Sequence, residues 1–369
     1  MKLIINGDFL AKPKTGMGQY LLQILEHQQW DYEIDILIPE YLQSSVKHIP
    51  KSIQKYIQYI PTWYNRNDLI AQVLWEKYVF PKAVLKRGAD VVWSPHPSLS
   101  YIPKVPHIMT VHDVIYWRLP EYIPNWKMRI YVQLLQQSIK RVHQVITIST
   151  FSAKEIADIF GLNAQSIPII YPASPRIKDK SDRDIKEKYI FYEGGLDIRK
   201  NVPRLIEAFS IIAVKYPNLY LYISGNYFNT SLIPQIPQII ESYYLQDRVK
   251  LLGYISDEDM TRYIQGAGML VYPSLYEGFG IPIVEGLSLG TPVITSNIGA
   301  MKEVGADAVV LVNPDSAKSI AKGIQNILTD DLLKQSLIYK GYERAKAFDW
   351  SVSAQKLGIV FEKQLKHKD

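Results

Sequence analysis

The sequence predicts an α/β chain of two doubly wound parallel domains, and three observations predict it. Short apolar, β-branched runs recur between amphipathic stretches, the alternation that parallel sheets covered by helices produce. The 369 residues suffice for two domains of ordinary size with sizeable cores. One stretch rich in proline and mixed charge, YPASPRIKDKSDRDIKEKY at 171–189, divides the runs into two sets and reads as an interdomain linker.

In the first set the expected strands fall at residues 3–5, 34–38, 91–93, 108–111 and 145–148. In the second they fall at 190–192, 219–223, 249–252, 269–272, 292–295 and 309–312. Beyond Asn313 the pattern turns helical, over 316–328, 331–347 and 350–365. The expected organisation is a Rossmann-like domain at 1–172, a second at 173–347, a cleft between them, and a last helix at 348–369. No internal repeat or low-complexity segment is visible.

A hydrophobic content of 47% with 21% charged residues describes a soluble globular protein. The absence of cysteine excludes a disulfide framework, a thiol nucleophile and a Cys-based metal site. The 26 tyrosines suit an extended polar–aromatic surface such as a carbohydrate cleft, and equally a compositional preference. The N-terminus runs directly into a strand, and no apolar run reaches the roughly 18 residues that span a bilayer. A cytoplasmic protein is expected. Residues 1–172 carry 18 Lys and Arg against 13 Asp and Glu, the remainder 24 against 23. That basic first half fits an anionic or membrane-embedded partner and peripheral contact at the inner membrane face. Ordinary solubility charge is the readier reading, since no five-residue basic block occurs. No nucleic acid is implied.

The most informative stretch is 271–303, VYPSLYEGFGIPIVEGLSLGTPVITSNIGAMKE. Its apolar start reads as a buried parallel strand, with Glu277-Gly278-Phe279-Gly280 as the loop leaving the strand's carboxyl end. Pro282 suits the first turn of a helix and Gly290 its C-terminal cap. Glu277 therefore belongs to the loop and Glu285 to the early turns of the helix, both near the edge where open α/β sheets bind ligands. A carboxylate there can accept two hydrogen bonds from adjacent ribose hydroxyls, while the helix N-terminus and loop amides face a phosphate.

After the expected strand at 190–192, Gly194-Gly195-Leu-Asp-Ile-Arg199-Lys200-Asn201 leads into a helix, with Asn201 as N-cap and Pro203 in its first turn. Two cations at a helix mouth suit a diphosphate, although an Arg-Lys pair by itself is an ordinary solvated feature. Near the N-terminus, Thr15-Gly16-Met17-Gly18 precedes an amphipathic stretch, and free amides at that turn suit phosphate or a second substrate. A dinucleotide fingerprint fails there, because Leu21 stands where a third glycine belongs. His112 and Asp113 follow a strand, at the end where cleft residues sit; the histidine can donate to a sugar hydroxyl or a phosphate oxygen, and the aspartate more readily caps the next turn. Ser152 and Glu155 have capping-box spacing.

Glu277 and Glu285, framing Gly-Phe-Gly-Ile-Pro and followed by Gly-Thr-Pro-Val, resemble the donor-binding signature of retaining glycosyltransferases of family 4, the glycosyl transferases group 1. The pair matches that family's glutamate–seven residues–glutamate motif. The resemblance covers nearly the whole chain, is strongest from Lys188 to Pro314, and implies the GT-B fold, with the last helix crossing back from Phe348-Asp-Trp350 to the first domain. It implies transfer of a hexose from a nucleoside diphosphate sugar to a polysaccharide or lipid-linked oligosaccharide, with retention at the anomeric carbon. UDP-hexose is the favoured donor on base rates, GDP-mannose the next.

The same resemblance assigns residues. Arg199 and Lys200 hold the leaving diphosphate, and Glu285 holds the ribose. Glu277, with Gly278 and the amides of Phe279, Gly280 and Ile281, fixes the donor sugar. His112 contacts that sugar, Gly16 and Gly18 form a ligand loop, and Tyr254 and Ile255 sit by the nucleobase. Gly195 stands where many members carry arginine, so the two-cation arrangement falls to Arg199 and Lys200. Neither Asp182-Arg-Asp184, in the linker, nor Asp257-Glu-Asp259, an acidic first helical turn behind Ser256, lies at a nucleotide-binding strand end. No metal and no cofactor beyond the co-substrate is expected. A catalytically silent sugar-nucleotide-binding subunit, and an isomerase or phosphorylase of the same fold, are the alternatives.

Overall fold

The computed structural model describes residues 1–66, 68–175, 188–225 and 232–366. The chain divides into two compact units, Met1–Pro172 with Trp350–Asp369, and Ala173–Asp349. Residues 176–187, most of the stretch read as a linker and with it Asp182 and Asp184, lie outside the described residues.

The first unit holds β1 (Lys2–Asn6), β2 (Glu33–Pro39), β3 (Ile57–Ile60), β4 (Val91–Ser94), β5 (His107–Thr110) and β6 (Gln144–Ile146). All pair in parallel, in the order β3-β2-β1-β4-β5-β6. The second unit holds β7 (Lys188–Glu193), β8 (Leu219–Ser224), β9 (Val249–Gly253), β10 (Met269–Tyr272), β11 (Val293–Ser296) and β12 (Val310–Val312), again parallel, in the order β12-β11-β10-β7-β8-β9. The order reverses between β1 and β4 in one sheet and between β7 and β10 in the other. At such a reversal neighbouring strands send their following loops apart, opening a crevice at the carboxyl edge.

Among the described residues, eleven of the twelve strands are the apolar runs legible in the sequence. The twelfth, β3, is a short edge strand in which only Ile60 is buried. An edge strand buries little, so Ile-Gln-Tyr-Ile carries no continuous apolar signal. Central strands show the opposite, with Leu3, Ile4 and Ile5 of β1 wholly buried.

The last helix, Trp350–Lys366, is part of the first unit. Trp30 Nε1 donates to the Ala354 carbonyl at 2.9 Å, and Phe361, wholly buried, meets the Trp30 ring edge-on at 5.3 Å. The Tyr32 hydroxyl reaches Glu362 Oε1 at 2.8 Å, and Ser353 Oγ donates to the Tyr171 carbonyl at 2.6 Å. None of the described helices is long and apolar enough to cross a membrane.

Helix starts follow local chemistry. Thr15 caps helix Gly16–His27, its Oγ1 accepting from the Gly18 amide at 3.1 Å. Ser256 caps helix Asp257–Gly266, so the acidic Asp257-Glu-Asp259 forms the first turn, as expected. One expected cap is displaced. Helix Thr150–Phe160 starts from Ser149, which accepts from the Ser152 amide at 2.9 Å. Ser152 instead donates to the His112 carbonyl at 3.0 Å, and Glu155 pairs with Arg118 at 2.6 Å. The helix began one turn early because Ser149 already has the extended backbone a cap requires.

Candidate active site

In the second unit three loops meet where the strand order reverses. β7 ends at Glu193, and the Tyr192 hydroxyl, donating to the Gly195 carbonyl at 2.6 Å, holds the loop that follows. That loop delivers Arg199 and Lys200 on a short 3₁₀ turn, Ile198–Lys200. β10 ends at Tyr272 and its loop delivers Glu277. The Leu275 amide donates to the Arg199 carbonyl at 2.7 Å, tying the loops together. Asn201 does the same through its side chain, donating to the carbonyls of Pro273 at 3.0 Å and Pro314 at 2.8 Å. Asn201 thus occupies the N-cap of helix Val202–Ala213 but uses its amide to lock loops rather than to cap.

The charged groups close on one another. Glu277 Oε1 accepts from Lys200 Nζ at 2.6 Å and from the Tyr272 hydroxyl at 2.8 Å, and Lys200 Nζ also donates to that hydroxyl at 2.7 Å. Glu277 Oε2 faces Arg199 Nη1 at 2.7 Å, and Arg199 Nε lies 3.2 Å from Asp197 Oδ1. Both Lys200 and Glu277 are buried. Burial alone pushes the Glu277 carboxyl up, but Arg199 and Lys200 overcome it and bring the group down to about 2. Burial, with Arg199 alongside, holds the Lys200 ammonium below the ordinary lysine range, against the pull of Glu277. Gly195 has a local reason: a Cβ there would lie 3.1 Å from Asp197 Oδ2, the carboxylate that steadies Arg199.

The helix bearing Glu285 runs Ile281–Leu289 from Gly280 to Gly290. Gly280 has φ +104°, a backbone region that favours glycine, and caps the helix without a side chain; Pro282 carries no amide hydrogen, and the Ile283 amide donates to the Gly280 carbonyl at 3.0 Å. Glu285 is 1% exposed on that helix. Gly278 and Phe279 belong to the same turn, and Phe279 packs edge-on against Phe348 at 5.4 Å. Tyr254, 56% exposed, and Ile255 follow β9. The second unit therefore gathers Arg199, Lys200, Glu277, Glu285 and the Gly278–Ile281 turn on adjacent loops and a helix start.

The remaining residues lie in the first unit. Gly16 and Gly18 are in the first helical turn rather than in a loop before it. A side chain at Gly18 would collide with the Lys12 carbonyl, so close backbone packing accounts for that glycine, whereas Gly16 has open space. His112 is buried, its Nε2 donating to the Pro95 carbonyl at 2.8 Å and the Tyr20 ring edge-on at 5.0 Å. A carbonyl only accepts, so the neutral ring carries its proton on Nε2 and offers Nδ1 as an acceptor. Asp113 Oδ1 accepts from the Ile115 amide at 3.0 Å and caps the turn.

Sequence reasoning missed Tyr272. Its signal was position alone, an aromatic hydroxyl at the carboxyl end of a central strand. With Tyr272→Phe, Lys200 loses an acceptor and Glu277 a donor while their ion pair remains. The expected result is a folded protein whose turnover drops about tenfold through looser positioning, with stability down by about 1 kcal/mol. Steady-state kinetics and thermal melting check it.

Acid should weaken the fold in a defined window. Burial brings His107 down to about 3 and His112 to about 4, against 6.5 for the free group. Unfolded, both rings bind protons near pH 6.5; folded, they do not. The unfolded chain therefore binds more protons in that window, and stability is lost as pH falls from 6.5 towards 3. Glu277 adds a second loss as pH falls from 4.5 towards 2. A denaturation midpoint lower at pH 5 than at pH 7, with the difference reduced in His107→Gln, is expected; an unchanged difference would remove His107 as its source.

Fold and site together define a class: a doubly wound α/β protein whose second unit gathers two cations, a buried glutamate and a helix start where its strand order reverses. Residues 173–344 match the family model described as glycosyl transferases group 1, and residues 14–173 match glycosyltransferase family 4. The chain belongs to this glycosyltransferase family, and its architecture is of the GT-B type. It is similar to the O-antigen chain mannosyltransferase B of Escherichia coli, 27% identical across 95% of this chain and 96% of that one. It is similar also to the O-antigen chain mannosyltransferase RfbU of Salmonella typhimurium, 27% identical across 88% and 90%. Among solved structures it resembles a sucrose-phosphate synthase from Thermosynechococcus elongatus, with TM-score 0.77 and 20% identity over 99% of both chains. HepE of Anabaena, in complex with UDP and glucose, gives TM-score 0.76 and 18% identity over 98% of this chain and all of that one.

Proposed function

We propose that this glycosyltransferase moves mannose from GDP-mannose to a growing polysaccharide or lipid-linked oligosaccharide, with retention at the anomeric carbon. The observation that carries the chemistry is the Arg199–Lys200–Glu277 cluster at the strand-order reversal of the second sheet. Mannose is favoured over the UDP-hexose expected from base rates because the two relatives similar over nearly their whole lengths are named as mannosyltransferases.

In the reaction the bond between the anomeric carbon and the diphosphate oxygen breaks. The acceptor hydroxyl forms its bond on the same face, and its proton passes to the departing phosphate oxygen. Arg199 and Lys200 take up the charge that develops on that diphosphate, so no metal is needed there. Glu285 accepts from the ribose hydroxyls. Glu277 and the Gly278–Ile281 turn orient the sugar, and Tyr254 and Ile255 flank the base. The glutamates position rather than act as a glycosidase pair, whose carboxylates must flank the bond. His112 enters through its Val-His-Asp-Val setting, as an Nδ1 acceptor for a sugar hydroxyl. Peripheral membrane contact by the first unit is supported by its basic charge and by Trp63 and Trp126, 71% and 68% exposed.

Calorimetry with GDP, UDP, dTDP and ADP, on the wild type and on Glu285→Ala, tests the donor. Tight GDP binding lost in the variant supports the proposal. Preference for UDP would return the donor to a UDP-hexose, and binding of no nucleoside diphosphate would remove the donor site. Nucleotide binding without sugar transfer to any acceptor would favour a silent binding subunit.

A further inference from the structure

The first sheet has its own reversal, between β1 and β4, and three ionisable side chains far apart in sequence meet there. Asp8 opens the 3₁₀ turn Asp8–Ala11 just past β1, and His96 lies two residues past β4. Glu76 comes from the π-helical turn Trp75–Val79. His96 Nε2 stands 3.3 Å from Asp8 Oδ1 and 3.8 Å from Glu76 Oε1. Their exposures are 1%, 8% and 0%, so water hardly reaches the cluster.

Glu76 is held firmly. Its Oε2 accepts from the Leu99 amide at 2.9 Å and the Tyr131 hydroxyl at 3.2 Å, and its Oε1 accepts from Gln72 Nε2 at 3.0 Å. The other two are not held so. Among the described residues neither ring nitrogen of His96 has a hydrogen-bond partner, nor does Asp8 Oδ1. Buried polar atoms are rarely left in that condition. The imidazole lies against the Phe9 ring at 4.2 Å, which fixes its plane without satisfying its nitrogens.

We propose that Asp8, Glu76 and His96 form a binding site for a divalent first-row transition ion, with Zn²⁺ the expected occupant. Ligand atoms about 2.0–2.1 Å from one tetrahedral ion lie about 3.4 Å apart, and the two His96 separations are close to that value. An imidazole beside two carboxylates selects zinc-like ions over Ca²⁺ and Mg²⁺, which take oxygen ligands. The charge argues the same way. Two buried carboxylates face a single imidazole, Lys12 is exposed, and a dication balances the pair.

The ion would pin together the segments after β1 and β4 and the π-helical turn, at the crevice of the first sheet. It is independent of the donor chemistry, which rests on cations of the other unit.

The test uses the full chain without a histidine tag, stripped by chelating resin and titrated with zinc sulfate, with metal content measured after dialysis. One zinc per chain is expected, together with a rise in thermal midpoint of about 5–8 °C at a hundredfold excess over Kd. Both effects should vanish in His96→Gln and in Asp8→Asn, while nucleotide binding by each folded variant stays unchanged. Should His96→Gln fail to fold, Asp8→Asn and the wild-type titration decide. Failure of the wild type to take up stoichiometric zinc, or full uptake by the folded variants, overturns the proposal. An identical midpoint with and without zinc does so as well.

Discussion

Glu277→Gln is expected to abolish most sugar transfer while sparing nucleotide binding. The carboxylate holds Lys200 at 2.6 Å and Arg199 at 2.7 Å, so in the ligand-free protein it neutralises the cations assigned to the diphosphate. Glutamine keeps the shape but removes the charge, and its amide nitrogen would face a guanidinium or an ammonium. Two cations, one of them buried, are then left with too little negative charge, and the ligand-free variant should melt lower than wild type. A nucleoside diphosphate restores that charge. Its thermal shift should therefore be larger in the variant than in wild type, whereas turnover falls about 10²-fold because the sugar is no longer held. Scanning calorimetry with and without GDP, alongside single-turnover assays, measures both. A thermal shift smaller than wild type would mean that Glu277 does not compete with the diphosphate for its cations.

Lys200→Ala should be the most damaging single change in the second unit. It removes a cation from the departing diphosphate, a loss of about 10²–10³ in turnover for one such group in a shielded site. It also strips Glu277 of one of its two cationic partners, and breaking a buried pair costs about 3–5 kcal/mol. Arg199 and the Tyr272 hydroxyl remain beside the carboxylate, which places the stability cost towards the lower end of that range. The carboxyl itself should titrate at higher pH once one cation is gone. Urea denaturation at pH 7 and pH 4 reads the stability, and GDP calorimetry the binding. Lys200→Arg should recover part of the charge but not the geometry, because a guanidinium cannot sit between Glu277 Oε1 and the Tyr272 hydroxyl as a single ammonium does. Wild-type turnover in Lys200→Ala would exclude a role for this cation in leaving-group departure.

Much of this architecture is legible in the amino-acid sequence. The eleven strands that were legible each carry a run of apolar residues, such as Leu3–Ile5 of β1 and Met269–Tyr272 of β10, whose four residues are all buried. The helix from Ile281 to Leu289 could be read from its ends, since Pro282 and Gly290 are the residues those backbone positions favour. The acidic turn at Asp257 was likewise set by its neighbour Ser256. The readings that went astray were also local. Ser149 displaced Ser152 as a cap because either serine fits the composition, and only the backbone angles distinguish them.

What the sequence by itself determined is therefore the set of elements and the chemical types at their ends: apolar runs, glycine and proline stops, two glutamates and an Arg-Lys pair near strand ends. Which of these groups touch was decided only by the tertiary structure. Lys200 meets Glu277 across 77 residues because β7 and β10 pair side by side, and Asp8 meets His96 because β1 pairs with β4. Strand order is a property of the whole packed sheet, settled by the free energy of burying all its strands and helices together. A run of residues records its own preference for a strand, but the identity of its neighbour, and so of its charge partners, is written nowhere within it.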